Sequence, residues 1–209
     1  MIRALILVDI QNDFMPTGAL PVPKGDEIIP IINKLQKHFN LIIATQDWHP
    51  ANHGSFASNH PDHKPGDVIM LDGLSQVLWP DHCVQNNHGA EFASAFDRHI
   101  VDKIFHKGTD PLIDSYSGFF DNAHRKATGL DRYLKEHSIS EVYIAGLATD
   151  YCVKYSVLDA LHLGLKTYVI ADACRGVNLK PNDSAEAFEE MKKAGAIIIN
   201  SQSLEKNHG

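Results

Sequence analysis

The 209-residue sequence predicts an α/β fold in which a parallel β-sheet is covered by helices on both faces. Two observations favour this class. Short continuous apolar runs of strand length alternate with longer segments whose apolar residues recur at helical spacing. The composition is that of a globular chain with a sizeable core, because 44% of the residues are hydrophobic and 22% are charged. The length fits a single domain over residues 1–209.

The predicted elements alternate along the chain. Strands rich in Leu and β-branched residues are expected at 4–8, 41–45, 101–106, 141–147, 166–171 and 196–200. Helices are expected at 26–39, 129–138, 150–164 and 181–195. Pro30 should lie in the first turn of its helix, since a proline further along would remove a backbone hydrogen bond. Gly164 suits the C-terminal stop of the third helix.

Charge and hydropathy exclude several classes of partner. The formal net charge is −7, the sequence pI is near 6.0 and no basic run occurs, so neither nucleic acid nor an anionic membrane surface is expected to bind. No apolar stretch approaches the ~20 residues of a membrane span, and the N-terminal apolar run is too short for a signal peptide. Three cysteines give no disulfide framework and fit a reducing, cytoplasmic location. The pattern leaves the oligomeric state open, including a homo-oligomer.

Reactive side chains follow four of the predicted strands. Asp9 follows the first strand, Asp47 and His49 the second, Lys107 the third and Cys152 the fourth. The carboxyl ends of parallel strands meet at one edge of the sheet, where open α/β sheets bind their ligands. We therefore expect a carboxylate, an ammonium group, a thiol and a carboxylate–histidine pair to lie together.

Cys152 lies where a strand gives way to a helix, a position that favours a nucleophile. Thr149 or Asp150 can cap this helix, which places Cys152 in its first turn. There the helix dipole and Lys107 would lower the thiol pKa, and Asp9 could accept the thiol proton. The free N–H groups at the helix start could hold a developing oxyanion.

The alternative for Cys152 is a partly buried structural cysteine. Cys83 and Cys174 have no matched set of reactive neighbours, and we interpret both as structural. Lys107 alone would be a surface lysine and Asp9 alone a strand-end cap. Only the joint placement of these groups favours a catalytic role over a structural one.

The pair Asp47 and His49 is predicted to bind a metal ion. Residues two apart point the same way in an extended segment, so both can hold one ion while Trp48 points away. His82 in WPDHC is the best-placed third ligand, and one Asp with two His leaves positions open for water or substrate. The alternative is a pair of solvated or capping side chains. His53, four residues after His49, is within reach of an outer shell.

The segment from 49 to about 88 does not follow the alternating pattern. It contains six of the 13 histidines, namely His49, His53, His60, His63, His82 and His88. Long irregular segments of compact domains are usually functional or disordered. We interpret residues 47–90 as a metal-binding and lid segment, with His60, His63 and His88 on its surface.

Five motifs occur together and in order, namely VDIQNDF, DWHP, WPDHCVQ, FHKG and GLATDYCV. In this combination the sequence, from Asp9 to about Asp172, resembles the nicotinamidases of the isochorismatase-like cysteine hydrolase superfamily. The resemblance implies a three-layer α/β/α sandwich with a six-stranded parallel sheet. It also implies hydrolysis of nicotinamide to nicotinate and ammonia through a cysteine thioester in NAD salvage, with pyrazinamide as a further substrate.

The resemblance assigns roles to the site residues. The catalytic triad would consist of Asp9, Lys107 and Cys152. One divalent transition metal, Zn first with Fe(II) or Mn tolerated, would bind the pyridine nitrogen and be held by Asp47, His49 and His82. The oxyanion would be held by the backbone N–H groups of Ala148 and Cys152. The peptide bond Leu147–Ala148 would be cis.

The resemblance also assigns Phe14 and Trp79 to the aromatic walls of the pocket, with Tyr116 near them, and we predict Leu20 as a further wall residue. Without the resemblance, aromatic residues in such loops more often fill gaps in the core or a lid than bind substrate. One segment departs from the family's simpler pattern, because Gln85 is followed by Asn86, Asn87 and His88. This departure concerns the rim of the pocket and not the catalytic groups.

Three other functions stay open on the residues alone. A carbamoyl or ureido amidase of the same superfamily is disfavoured by the DWHP and WPDHC motifs, because such substrates lack a ring nitrogen for a metal. A metallohydrolase whose ion activates water would leave Cys152 incidental. A non-catalytic metal-binding or redox-sensing protein would release no ammonia.

Overall fold

Six parallel strands form the central sheet of the protein. The structure is a computed structural model that describes residues 3–205; positions 1–2 and 206–209 of the predicted domain lie outside this range. The strands are β1 (Ala4–Val8), β2 (Leu41–Asp47), β3 (Val68–Leu71), β4 (Leu74–Val77), β5 (Lys103–Lys107), β6 (Glu141–Leu147), β7 (Lys166–Arg175) and β8 (Ile197–Ile199). The sheet has the order β5–β2–β1–β6–β7–β8, and β3 pairs with β4 in a separate antiparallel hairpin.

Five α-helices accompany the strands within the described residues. They are α1 (Ile29–Leu35), α2 (Leu130–Glu136), α3 (Lys154–His162), α4 (Asp183–Ala194) and α5 (Gln202–Glu205). Pro30 lies in the first turn of α1, as predicted, where its missing N–H costs no helical hydrogen bond. Gly195 ends α4 with φ of 113°, a left-handed conformation that a glycine adopts without strain. None of the helices in this part of the chain is both long and apolar enough to cross a membrane.

Side chains of the central strands alternate between two buried clusters, one on each face of the sheet. Leu5 and Leu7 of β1 pack with α1 in the first cluster. Ile6 and Val8 pack with α2, α3 and α4 in the second. Because both faces are covered, β1 reads as a continuous apolar run instead of an alternating one. The predicted three-layer α/β/α sandwich with six parallel strands is confirmed.

Three elements differ from the sequence-based expectation. The helix predicted from 150 begins with one π-helical turn, Thr149–Val153, and becomes α-helical only at Lys154. The fifth predicted strand continues to Arg175, after a register shift against β6 between Ile144 and Gly146. The segment at 47–90 contains the hairpin β3–β4, whose four-residue strands are too short to give a clear period in the sequence.

Four adjacent strands bring the predicted site residues to one edge of the sheet. In spatial order β6, β1, β2 and β5 are neighbours. Asp9 follows β1, Asp47 ends β2, and Lys107 ends β5 directly opposite Asp47 in the strand register. Cys152 lies in the turn after β6. The carboxyl edge of the sheet therefore gathers all four residues.

Candidate active site

Lys107 is the centre of a buried polar cluster. Its side chain is only 1% exposed, and its Nζ lies 2.9 Å from Asp9 Oδ2 and 2.5 Å from Asp47 Oδ1. The same Nζ lies 3.0 Å from the carbonyl oxygen of Ser115 and 3.3 Å from Cys152 Sγ. An ammonium group has three N–H donors, so the four acceptors around Lys107 compete for them. The structure thus brings together Asp9, Lys107 and Cys152, and it adds Asp47 to the same group.

The charged groups of this cluster and their burial shift the pKa values of Lys107 and Asp9. Burial opposes the ammonium charge, but Asp47 and Asp9 outweigh it and raise the pKa of Lys107 well above its ordinary value. Burial also raises the pKa of Asp9 to about 6, although Lys107 and a 2.7 Å hydrogen bond from Thr45 Oγ1 favour the carboxylate. A carboxyl group with a pKa near 6 can both accept and return a proton close to neutral pH.

The surroundings of Cys152 shift the pKa of its thiol in the direction opposite to the one that the sequence suggests. Burial raises its pKa well above the ordinary value, and the carboxylates of Asp9 and Asp47 add to the shift while Lys107 opposes it. The expectation of a lowered thiol pKa is therefore wrong for this arrangement, because desolvation and two carboxylates outweigh one ammonium group. A carboxylate oxygen of Asp9 lies within 4.8 Å of Cys152 Sγ, so a base stands beside the neutral thiol.

The predicted helix cap is also wrong. The turn that holds Cys152 starts after Ala148, and no side chain caps it. The N–H groups of Tyr151 and Val153 both donate to the Ala148 carbonyl at 3.1 Å. Asp150 points elsewhere and accepts hydrogen bonds from the loop after β7. The peptide bond Leu147–Ala148 is cis, as the resemblance implied.

A second cluster adjoins the first through Asp47. Its members Asp47, His49 and His82 are buried, and their ligand atoms lie within 4.8 Å of one another. Asp47 Oδ2 lies 3.6 Å from His49 Nε2 and 3.8 Å from His82 Nε2. Asp47 therefore turns one oxygen to Lys107 and the other to the two imidazoles. Trp48 stacks on His106 at 4.6 Å, away from this cluster, as expected.

The imidazole orientations fit a metal ion. His49 Nδ1 lies 2.8 Å from the Gly108 carbonyl oxygen, and His82 Nδ1 lies 2.7 Å from that of Pro80. A carbonyl oxygen only accepts, so each Nδ1 carries the proton and leaves the Nε2 lone pair free. Such carbonyl contacts typically orient metal-binding histidines. One carboxylate oxygen and two imidazole nitrogens suit a divalent transition metal with open coordination positions.

His53 lies just outside this cluster. It is fully buried, and its ring centroid is 4.4 Å from that of His49. Its Nδ1 accepts the Ser55 N–H at 3.2 Å, and burial lowers its pKa to about 4, which keeps the ring neutral. The other predicted surface histidines differ among themselves, because His63 and His88 are exposed but His60 is half-buried and bonds the Gly54 carbonyl.

Gln11 is a buried residue of the site that the sequence analysis missed. Its amide donates to the carbonyl oxygens of Asp47 and Ala90 at 2.8 and 2.9 Å, and its Oε1 accepts the Asp47 N–H at 2.8 Å. This two-way pairing fixes the backbone of Asp47 where β2 ends. The signal lay inside the VDIQNDF motif, but only long-range pairing reveals the role.

A cavity opens onto both clusters. All four predicted wall residues line it, namely Phe14, Leu20, Trp79 and Tyr116, together with Asp47, His49, His82, Ala148 and Cys152. The hydroxyl of Tyr116 accepts hydrogen bonds from Trp79 Nε1 at 3.1 Å and from Gln76 Nε2 at 3.0 Å. Gln76 belongs to β4, so the hairpin is attached to the cavity wall. Three further residues line the cavity without having been predicted from the sequence, namely Asp114, Tyr151 and Val177.

The segment that departs from the family's pattern lies away from the reacting groups. Asn86, Asn87 and His88 are exposed. Gln85 Nε2 donates to the Trp48 carbonyl at 2.9 Å, which ties this loop to the end of β2. Cys83 and Cys174 are buried free thiols of the two apolar clusters.

Known proteins share this fold and sequence over nearly the whole chain. The family model described as isochorismatase domain matches residues 3–203. The nicotinamidase of Escherichia coli (strain K12) is 53% identical over 213 residues and covers 99% of each chain. A solved Acinetobacter baumanii nicotinamidase and pyrazinamidase has a TM-score of 0.92 and 48% identity, covering 97% of each chain. The Pyrococcus horikoshii pyrazinamidase, solved in complex with zinc, has a TM-score of 0.77 and 42% identity, covering 96% of this chain and 99% of that one. This chain therefore belongs to the isochorismatase family.

Proposed function

We propose that the protein is a nicotinamidase, an amidohydrolase that converts nicotinamide to nicotinate and ammonia and also accepts pyrazinamide. The observation that carries the proposal is the contact of Lys107 with both Asp9 and Cys152 beside the Asp–His–His cluster. The proposed nucleophile Cys152 and the proposed orienting cluster line one cavity, and the proposed base Asp9 lies within 4.8 Å of the Cys152 sulfur. The high identity to nicotinamidases over nearly the full length supports the same activity.

The reaction uses the thiol and Asp9 in turn. Asp9 takes the proton of Cys152 as Sγ attacks the carboxamide carbon, which avoids a free thiolate in the resting site. Collapse of the tetrahedral intermediate breaks the C–N bond, and the proton on Asp9 passes to the departing ammonia. Water, deprotonated by Asp9, then cleaves the thioester, the proton on Asp9 returns to Sγ, and the acid that is formed leaves as nicotinate after releasing its own proton to solvent. Each step conserves the protons that Asp9 and Cys152 share.

Two groups stabilise charge during these steps. Lys107 lies beside Asp9 and Cys152 and stays protonated, so it can offset the negative charge that moves between them. The backbone N–H groups of Ala148 and Cys152 are the proposed donors to the oxyanion, since both residues line the cavity. An oxyanion-hole donor is typically worth about a hundredfold or more in kcat.

Asp47, His49 and His82 are the proposed ligands of one divalent transition metal, zinc first, with Fe(II) or Mn also suited to this donor set. The zinc complex of the Pyrococcus horikoshii pyrazinamidase supports this assignment. When bound, the metal would supply a Lewis acid for the ring nitrogen and positive charge near the thiol. Phe14, Leu20, Trp79 and Tyr116 form the wall against which the aromatic ring packs.

The proposal extends to the organisation of the chain. Residues 1–209 form one domain, residues 47–90 act as its metal-binding and lid segment, and the enzyme serves NAD salvage in the cytoplasm. Three free thiols fit that reducing compartment.

Ammonia release from nicotinamide by the metal-loaded protein tests the proposed function. We expect turnover that iodoacetamide abolishes in step with alkylation of Cys152, followed by mass spectrometry. Turnover that survives complete alkylation would favour a water-activating metallohydrolase, and absence of ammonia release would favour a non-catalytic metal-binding protein.

A further inference from the structure

The loop Gly176–Asn178 forms part of the cavity wall. Val177 is half-buried and lines the cavity with Phe14, Leu20 and Tyr151. Nothing in the sequence pattern marks this loop, because it follows the extended strand β7 and precedes α4 without a reactive residue. Val177 nevertheless places an apolar side chain where an aromatic amide would bind.

Asp150 holds this loop in place. Its Oδ1 accepts the Val177 N–H at 2.9 Å, and its Oδ2 accepts the Asn178 N–H at 2.7 Å. The Asp150 residue is only 6% exposed, so little water competes for these bonds. Hydrogen bonds from backbone N–H groups to a carboxylate are stronger than neutral ones. Both oxygens of one buried side chain are thus used on two successive residues of the cavity wall.

The far side of the loop is fixed as well. Asn178 adopts a left-handed backbone with φ of 53°, and its Oδ1 accepts the Ser184 N–H at 2.9 Å. A Cβ added at Gly176 would lie 1.9 Å from Ser184 Oγ and 3.1 Å from Asp150 Oδ1. The loop is therefore packed between the start of α4 and the turn that carries Cys152, with no room for a side chain at position 176.

We propose that Val177 determines which ring-substituted pyridine carboxamides the enzyme accepts, and that Asp150 is the positioning residue that sets its distance from the nucleophile. The inference rests on the proposed function and names the substrate feature that the site excludes. Because Val177 lines the same cavity as Cys152, the proposal expects a methyl group on the ring to meet the Val177 side chain and the unsubstituted ring to clear it. Asp150 touches no substrate and acts through the loop.

The test compares kcat/KM for nicotinamide and its 2-, 4-, 5- and 6-methyl derivatives in the metal-loaded protein. Val177→Ala should raise the ratio of at least one methyl derivative to nicotinamide by about tenfold, since one methylene in an apolar pocket is typically worth 10- to 200-fold. Asp150→Asn keeps the size but replaces one acceptor by a donor that faces an N–H group. It should raise the same ratio by at least about threefold, in keeping with the loss of a charge-assisted bond.

Asp183→Asn is the matched control. Asp183 also accepts a backbone N–H, that of Lys180 at 2.8 Å, but on the exposed side of the same region. In this variant the ratio of kcat/KM for each methyl derivative to kcat/KM for nicotinamide should equal the wild-type ratio within experimental error. The rate of Cys152 alkylation by iodoacetamide, measured in parallel, should also stay unchanged in Asp183→Asn, because Asp183 does not line the cavity. Ratios are used because a change in the folded fraction cancels from them.

The specificity role of Val177, the positioning role of Asp150 and the proposed function are each decided by a different outcome. Unchanged ratios in Val177→Ala overturn the specificity role, and a change there without one in Asp150→Asn overturns the positioning role. Absence of nicotinamide turnover in the wild-type protein overturns the proposed function instead. In that case the ratio of calorimetric affinities for the same amides, measured in a Cys152→Ala background with and without Val177→Ala, still decides the inference.

Discussion

Lys107 shows how one residue can carry both stability and chemistry. Its ammonium group lies against Asp9 and Asp47, in a place with almost no access to water. Burying an ammonium group alone would be very costly, but two carboxylates at 2.9 and 2.5 Å offset that cost. The same contacts place a fixed positive charge 3.3 Å from the nucleophilic sulfur. If Lys107 acts as proposed, the structural and catalytic demands on this position coincide.

Replacing Lys107 by Met should destabilise the protein strongly, because two buried carboxylates would face each other without a cation. Removing one partner of a buried ion pair typically costs about 3–5 kcal/mol. Urea unfolding measures the loss. Lys154→Met is the control, since Lys154 pairs with the exposed Glu190 at 3.1 Å, and such pairs contribute less than about 1 kcal/mol. Equal losses in the two variants would contradict the role of Lys107 as the central cation.

Cys152→Ala should abolish amide hydrolysis and leave the metal content unchanged, because the thiol is the proposed nucleophile and is not one of the proposed ligands. Loss of a nucleophile typically costs several orders of magnitude, so we expect less than about a thousandth of wild-type turnover. Ammonia release and elemental analysis of the purified variant measure the two quantities. Residual turnover well above that level would show that the thioester is not required.

Residue types and their positions in the sequence indicated most of this site but not the direction in which the pKa of the Cys152 thiol is shifted. The positions of Asp9, Lys107 and Cys152 after strands were sufficient to expect their meeting. The pKa of the thiol depends on how deeply it is buried and on Asp47 lying within reach, and neither quantity is visible in a sequence. Gln11 was missed for the same reason, because its partners are 36 and 79 positions away in the chain.

At the scale of elements, the junction of β1 and β6 controls where the nucleophile and its base lie. Gly146 of β6 has φ of 129°, and an added Cβ would lie 2.2 Å from the backbone oxygen of Val8, the residue before Asp9. The close approach of these strands therefore requires a residue without a side chain. The apolar runs predicted both strands, but the irregular register of β6 with β7 at this point had no sequence signal.

Gly146→Ala should destabilise the protein by at least about 1 kcal/mol more than Gly164→Ala. Both glycines have positive φ, so both variants acquire the backbone strain of a non-glycine residue. Only the Cβ at 146 meets backbone atoms, whereas none lie within 4 Å of the one at 164, and overpacking typically costs 1–3 kcal/mol. Urea midpoints with matched slopes measure the difference. A larger loss at 164 would show that strand contact is not the limiting factor.

Elements with a strong period or a continuous apolar run were predicted within a few residues of their observed bounds, as for β1 and β6. Their joint pattern was sufficient for the fold class, since parallel strands need helices between them. The hairpin β3–β4 and the π-helical turn Thr149–Val153 were not predicted. Both depend on tertiary packing around the cavity, which local periodicity does not report.

At the scale of the whole molecule, the fold joins two chemically different sites in one cavity. The strand ends supply the reacting groups, and the segment after β2 supplies His49 and His82 next to them. Asp47 belongs to both, through one oxygen to Lys107 and the other to the imidazoles. In the proposed function, a substrate held at the Asp–His–His cluster would lie beside the thiol, and its ring would have to carry a group that this cluster recognises.

The metal-loaded enzyme should hydrolyse nicotinamide and pyrazinamide but discriminate strongly against benzamide. All three amides have nearly the same shape and would pack alike against the proposed wall residues Phe14 and Trp79, but benzamide has no ring nitrogen for a metal held by the Asp–His–His cluster. A site built around a polar contact rejects an isostere that lacks it more strongly than an apolar pocket rejects a change of one methylene. We expect kcat/KM to differ by at least ~100-fold, or roughly 2.7 kcal/mol of transition-state binding.

Removing the metal with a chelator should make all three amides poor substrates and shrink the difference among them, and re-adding zinc should restore it. Comparable kcat/KM for benzamide and nicotinamide in the loaded enzyme would contradict an orienting role for the cluster and favour an ion that activates water.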